Sequence, residues 1–300
     1  MRHVPVLLDE VVEGLNLQNN SLVIDCTLGD AGHSEAMLAK IGPKGKLLGI
    51  DADPESLLRA KNNLYKFEKQ TIFVRDNFVN LEKIVRDNDF LNADAILMDL
   101  GWSTPQFKER NRGFSFDSDE PLDMRYSADA GETAADILDQ YSLGELINIF
   151  KYYGEEKLSA EIAKSIVSIR SDKPIKTSAQ LSEIILQVYR AKLKTDKEIP
   201  WVGGIHPATK IFQALRIAVN KELEVVRQAL PQALNILKSG GRLAVITFHS
   251  LEDRIVKQYF VKNNNKILRI INKKPLVASD VELKNNPSSR SAKLRIIEKI

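Results

Sequence analysis

Three aspartates each stand where an apolar run breaks into a loop. They are Asp25 in "VIDCTLGDAGHS" (23–34), Asp51 in "LGIDADP" (48–54) and Asp99 in "ILMDLGWSTPQ" (96–106). Gly29 and Gly32 surround the first of these turns, and glycine lets backbone N–H groups approach a ligand closely because no Cβ stands in the way. Asp51 lies about twenty residues downstream of that turn, where a carboxylate can accept hydrogen bonds from both hydroxyls of a ribose. Asp99 ends the run Ile96, Leu97 and Met98, and Gly101, Ser103, Thr104 and Pro105 forbid its continuation. The acid is either an ordinary polar turn residue or the rim of an active site.

The glycine loop lacks the G-x-G-x-x-G pattern, which argues against NAD. An adenosine-bearing cofactor without a pyrophosphate suits it better, and S-adenosyl-L-methionine is such a molecule. His33 has no cluster of His, Asp and Cys around it in sequence, so loop capping or cofactor contact fits better than metal ligation, and no metal is expected. Cys26 is the single cysteine. It permits no internal disulfide and no cysteine-rich metal site, and its place at a strand end suits a small buried filler.

The elements that position these residues follow from periodicity. Apolar runs at 22–25, 46–51, 71–74 and 95–100 alternate with helical patterns near 33–41, 54–66 and 79–90. Such alternation predicts a parallel sheet with right-handed crossovers. From 109 to 135 a polar loop is expected, then helices near 142–152, 155–170 and 177–193, and a long helix from 206 to about 237. "GGRLAVITF" (240–248) reads as a buried strand, and "KILRIIN" (266–272) and "KLRIIEKI" (293–300) as two more. The economical division is a sheet domain of 1–108 plus 206–300, interrupted by an inserted helical domain of 109–205.

Composition narrows the class. The 300 residues are 43% hydrophobic and 28% charged, ordinary for a soluble globular chain. No run is long and apolar enough to span a bilayer, and the first ten residues meet Asp9 and Glu10 too early for a signal peptide. A reduced, cytoplasmic protein is expected. Residues 254–300 hold 12 Lys/Arg against 3 Asp/Glu, while 109–170 hold 7 against 13. The basic end can grip a polyanion or can be a solvated surface.

The motifs form an ordered set: "HVPVLLDE" (3–10), "DCTLGDAGHS" (25–34), "LGIDADP" (48–54), "DLGWSTPQ" (99–106), "RGFSF" (112–116), "PLDMR" (121–125), "YGEE" (153–156), "HPATKIFQALRIAVNKEL" (206–223), "GGRLAVITFHSLEDRIVK" (240–257) and "NPSSRSAKLR" (286–295). In this the chain resembles the bacterial MraW/RsmH family over nearly its whole length. The resemblance implies a seven-stranded S-adenosylmethionine-dependent methyltransferase sheet, Rossmann-like and of α/β class, with an inserted helical substrate-recognition domain. It further implies methylation of the exocyclic N4 amine of a cytidine in 16S ribosomal RNA, within the small ribosomal subunit, by a monomer or a homodimer. The family's cofactor contacts fall here on Ala31, Gly32, His33, Asp51, Phe78, Asp99 and Gln106. Ala31 stands where the family commonly has glycine, which would set the loop slightly further from the methionine moiety. Trp102, Thr104 and Glu120 replace a usual valine, serine and glycine.

Methyl transfer from a sulfonium is an in-line displacement in which positioning dominates. The cytosine amine is a poor nucleophile, so an acceptor for its protons helps as the bond forms. Asp99 can serve there or can hold the cofactor's amino group. Ser103 and Trp102 are candidates for the pocket wall, with Trp102 stacking on a base or merely packing. Arg112, Phe114 and Phe116 suit unstacked bases, although phenylalanines are more often core. His249 either touches the target base or caps the following helix, for which Ser250 is the stronger candidate. Glu252, Asp253 and Arg254 are expected in helix-end ion pairs. A strand-end carboxylate near solvent, such as Asp99, is expected to matter little for folding. Ring-carbon methylation, which needs a cysteine nucleophile, is disfavoured by the place of Cys26. A small-molecule or protein methyltransferase and a non-catalytic nucleotide- or RNA-binding module are the competing readings.

Overall fold

The structure, a computed structural model, describes residues 4–101, 111–127, 131–195 and 205–300. The chain divides into two compact units, residues 1–104 with 223–300 and residues 105–222.

In the first unit the expected apolar runs are strands: β1 (Leu22–Asp25), β2 (Lys46–Asp51), β3 (Thr71–Arg75) and β4 (Ala93–Asp99). With β5 (Leu237–Thr247), β6 (Leu268–Ile270) and β7 (Lys293–Lys299) they make a seven-stranded sheet of order β3-β2-β1-β4-β5-β7-β6. Strands β1 to β5 are parallel, and β7 runs antiparallel to both β5 and β6. This is the sheet that the resemblance implies.

The strands are apolar throughout because both faces are covered. Ile24, Leu48, Ile96, Met98, Leu243 and Val245 enter one core with α4 (Leu81–Asp87), α10 (Glu222–Ile236) and α11 (Ser250–Asn263). The alternate residues Val23, Leu47, Ala95, Leu97, Ala244 and Ile246 enter another with α1 (Leu8–Gly14), α2 (Gly32–Ile41) and α3 (Pro54–Asn63). Period two along each strand thus divides one apolar run between two cores. A last helix, α12 (Asp280–Asn285), precedes β7.

The second unit is helical: α5 (Ala134–Gln140), α6 (Leu143–Tyr152), α7 (Ser159–Arg170), α8 (Ser178–Leu193) and α9 (Thr209–Asn220). Thr133, Ser142 and Thr177 each begin a helix with a reciprocal capping box. The helix α5 replaces the end of the expected polar loop.

Two expectations change here. The predicted helix from 206 to 237 is two helices, because Lys221 takes a left-handed conformation (φ 50°) between them. The sheet domain also resumes at 223 and not at 206. Ile211, Phe212, Ala214 and Leu215 of α9 are buried with Leu146 and Phe150 of α6, so α9 belongs to the core of the helical unit. The strand expected from 240 starts at Leu237, with a register irregularity opposite Ala93 and Ala95.

Gly113 pins the loop that carries the "RGFSF" motif. Its φ is +73°, and an added Cβ would lie 2.4 Å from the carbonyl oxygen of Pro121. Gly113→Ala should therefore destabilise the helical unit by about 2 kcal/mol or more, a change that urea unfolding followed by tryptophan-independent far-UV dichroism measures; unaltered unfolding would show that this loop gives way.

Candidate active site

Strands β1 and β4 are neighbours whose connections leave toward opposite sides of the sheet, since β2 and β3 lie beyond β1 while β5 lies beyond β4. The carboxyl ends of two such strands open a crevice, the usual ligand site of this architecture. Asp25 ends β1 and Asp99 ends β4.

The loop after β1 is tightly built. Asp25 is buried and accepts hydrogen bonds from Ser34 Oγ (2.6 Å) and the Thr27 N–H (3.1 Å). Thr27 Oγ1 in turn accepts the Asp99 N–H at 2.8 Å, so the first loop fixes the end of β4. Leu28 donates its N–H to Ile50 O at 2.9 Å, and its side chain fills the space left by Gly49. Ala31 begins α2 at φ 63° and is fully buried. That left-handed conformation is one that glycine adopts more readily than alanine.

Asp51 sits beside this loop at the end of β2. One carboxylate oxygen accepts the Gly29 N–H at 2.8 Å and the other accepts the Asp53 N–H at 2.9 Å. Each oxygen keeps further acceptor capacity. Burial raises its pKa to about 6, against the opposing effect of those two N–H groups. Asp53 itself caps α3 through the Glu55 and Ser56 N–H groups. Phe78 lies in the single turn after β3 and packs against the first core.

Asp99 departs from expectation. About a fifth of its side chain reaches the surface, yet Oδ1 is shut from solvent and has no hydrogen-bond partner among the described residues. Burial, followed by the negative charges of Asp25 and Glu252, pushes its pKa up to about 8. It is therefore no freely solvated turn residue. His33 is buried against it, with Nδ1 at 3.6 Å from Asp99 Oδ2 and Nε2 at 2.9 Å from the carbonyl oxygen of Val6.

His249 is the cap of α11, and Ser250 is the first helical residue and exposed. The imidazole Nδ1 accepts the Glu252 N–H at 3.4 Å, and buried Glu252 accepts the Phe248 N–H at 2.9 Å. Sequence favoured Ser250 on type alone; an imidazole lone pair performs the same task. Asp253 holds Arg295 by two bonds at 2.7 and 3.1 Å, the ion pair expected of this helix end. Cys26 is buried in the first core, and burial followed by Asp25 raises its thiol pKa.

In the helical unit Phe114 is buried and stacks on Tyr126 at 6.1 Å, so its ring is a core group and not a base platform. Phe116 is half-buried and stacks on His206 at 4.4 Å. The Arg112 guanidinium donates to the carbonyl oxygens of Arg125 and Tyr126, which stitches its loop. Glu120 is buried and accepts the Gly113 N–H at 2.8 Å. Trp102, Ser103 and Gln106 lie outside the described residues.

Asp25, Asp99 and Glu252 lie together at the β1/β4 edge, and Asp99 Oδ1 has no hydrogen-bond partner among the described residues. This edge offers an acceptor to a ligand that brings N–H groups, and Asp51 offers two oxygens with acceptor capacity left over. Because the folded-state pKa of Asp99 is raised, folding retains a proton that the unfolded chain loses above pH 4. The resulting penalty grows through about pH 8. In ligand-free protein Asp99→Asn should leave stability unchanged near pH 4 and raise it near pH 8, by on the order of 1–3 kcal/mol after allowance for partial solvent access. Chemical denaturation across that range would show it, and equal curves at pH 8 would mean the carboxylate is well solvated.

Residues 1–300 match the MraW methylase family. A protein of Clostridium botulinum (strain Loch Maree / Type A3) named "Ribosomal RNA small subunit methyltransferase H" is 42% identical over 315 residues, covering 100% of this chain and 99% of that one. One of the same name from Dehalococcoides mccartyi is 43% identical, covering 99% of this chain and 86% of the other. With the family matched along its full length and these relatives covering it end to end, this chain belongs to the MraW methylase family.

Proposed function

We propose that this protein uses S-adenosyl-L-methionine to methylate the exocyclic N4 amine of a cytidine in small-subunit (16S) ribosomal RNA. The observation that carries the reading is Asp99 Oδ1, buried and with no hydrogen-bond partner among the described residues, beside Asp25 and Glu252 at the edge that also holds Asp51. Bound there, the cofactor supplies a methyl group on a positively charged sulfur. The relatives' name, a ribosomal RNA small subunit methyltransferase, supports the substrate class.

The chain's own groups divide the work. Asp51 accepts the ribose hydroxyls with the acceptor capacity that Gly29 and Asp53 leave. The loop 28–33, with Ala31, Gly32 and His33, lines the donor, and Phe78 borders it. Asp99 either accepts an N–H of the donor's amino group or an N–H of the target amine. An acceptor at the amine helps rehybridise its lone pair and takes the proton that the nitrogen sheds as the N–C bond forms and the S–C bond breaks. His249 fixes the start of α11 and Glu252 beneath it, a positioning task. Lys273 and Lys274 are exposed beyond β6 and attract the RNA backbone through counterion release.

Incubating the protein with the labelled donor and either free 16S RNA or assembled small subunits, then mapping methylated nucleosides, tests the reaction. Label on a cytidine N4 is expected; label on a small molecule or protein alone overturns the proposal. Asp51→Ala should weaken cofactor binding by about 1–3 kcal/mol, and calorimetry showing equal affinity would remove the ribose role. Asp99→Asn should slow single-turnover transfer by roughly two orders of magnitude; a loss confined to donor affinity instead makes Asp99 a cofactor clamp. Charge reversal at Lys273 and Lys274 should flatten the salt dependence of RNA binding by about one unit of slope per lost contact, while leaving donor affinity intact.

A further inference from the structure

Two sequence motifs remain without a role in this mechanism, "HVPVLLDE" at one end of the chain and "NPSSRS" at the other. They meet at the cofactor loop, and every residue from Val4 to Leu7 has a defined contact. The Val4 carbonyl accepts from Asn286 Nδ2 at 3.1 Å. Pro5 lies against Gly32 so closely that an added Cβ there would stand 2.3 Å from its Cγ. The Val6 carbonyl holds His33 Nε2 at 2.9 Å. The Leu7 N–H donates to Glu282 Oε1 at 2.8 Å. Leu7 is also buried in the left-handed conformation (φ 54°) that begins α1, one that leucine adopts only when its surroundings impose it.

The partners come from a segment with little other reason to be ordered. The helix α12 has six residues and no buried side chain, yet Glu282 reaches from it to the Leu7 amide. Asn286, which follows it, is buried, and Ser289 Oγ donates to the Asn286 carbonyl at 2.7 Å. The contacts then run inward, because His33 is the residue whose Nδ1 lies 3.6 Å from Asp99 Oδ2.

We propose that Val4–Leu7 is a strap that holds the cofactor loop in its binding shape, and that Glu282 and Asn286 are positioning residues that fasten it. Neither side chain needs to touch the donor. They act through the strap on Gly32 and His33, so the C-terminal segment sets how well the loop receives the cofactor. The inference rests on the cofactor reading above, and on the loop being the donor's seat.

The experiment uses the full chain and S-adenosylhomocysteine as probe. In the double variant Glu282→Ala/Asn286→Ala, calorimetric affinity should fall about tenfold and the KM for the donor should rise in step with kcat little changed, the pattern of a misplaced binding loop. Amide exchange at residues 31–34 should accelerate about tenfold while that of residues 96–98 in β4 stays as it was. Glu282→Gln keeps an acceptor for the Leu7 N–H and should restore most of the affinity, and Lys284→Ala, on the same exposed helix, should behave as wild type. Wild-type affinity in the double variant overturns the proposal, as does exchange that accelerates equally in the loop and in β4. Should the wild-type protein itself fail to bind the probe, the cofactor reading falls, and the exchange measurement alone decides whether the strap holds the loop.

Discussion

The packing of several carboxylates at one edge of the sheet is the constraint on which the rest of the site depends. Strand order reverses between β1 and β4, so Asp25 and Asp99 leave neighbouring strands with no side connection to fill the gap. Glu252 enters from the start of α11. Burial first, and then the neighbouring Asp25 and Glu252, push the Asp99 pKa up. Such an arrangement persists only where the scaffold fixes it from outside. Thr27 holds the Asp99 backbone, Ser34 and the Thr27 amide hold Asp25, and the Phe248 and His249 amides hold Glu252. Asp51 follows another logic. It is satisfied by two backbone N–H groups and offers only its remaining lone pairs, which suits neutral hydroxyls and not a cation.

Much of this was legible in the sequence. The four N-terminal strands fell within a residue or two of the expected runs, because buried parallel strands are apolar on both faces and stop at turn residues. The positions of Asp51 and Asp99 followed from that alone. What escaped were features decided by distant partners. The helix α9 carries a good amphipathic stripe, but nothing local says which core it joins. His249 capped its helix although Ser250 is the commoner cap type, since backbone placement and not propensity chose the side chain. Phe114 reads as a base platform beside Arg112 until Tyr126 and the α6–α9 core cover it. The strap is the clearest case: Leu7 and Glu282 lie 275 residues apart.

The helical unit shows what a motif of high specificity can mean physically. "RGFSF" and "PLDMR" form no open row of aromatic and basic groups. Their side chains bond locally: Arg112 donates to two backbone carbonyls, the Arg125 guanidinium donates to the Asp123 carboxylate by paired bonds at 2.7 and 2.8 Å, and nearby Glu120 accepts the Gly113 N–H. Gly113 is required because the Pro121 carbonyl passes where a Cβ would be. Residue identity here is thus demanded by loop shape. Glu120 binds the same loop by accepting the Gly113 N–H and the Ser118 hydroxyl.

A site with a strained, charge-loaded edge is stable only if the cores above and below it supply the difference. Here both faces of the sheet are covered by helices, and in the loop after β1 the Thr27, Leu28, Gly29 and Ala31 amides are all hydrogen-bonded. A ligand that donates an N–H to Asp99 Oδ1 offsets part of the cost of burying that carboxyl, which favours the bound form. The same reasoning explains why the ends of the chain converge on this edge. A loop that must close over a ligand cannot take its rigidity from the ligand alone. Val4–Leu7 supplies it from one side, and Glu282 with Asn286 secures those residues from the other, so the shape of the cofactor loop is set by contacts that span the full length of the sequence.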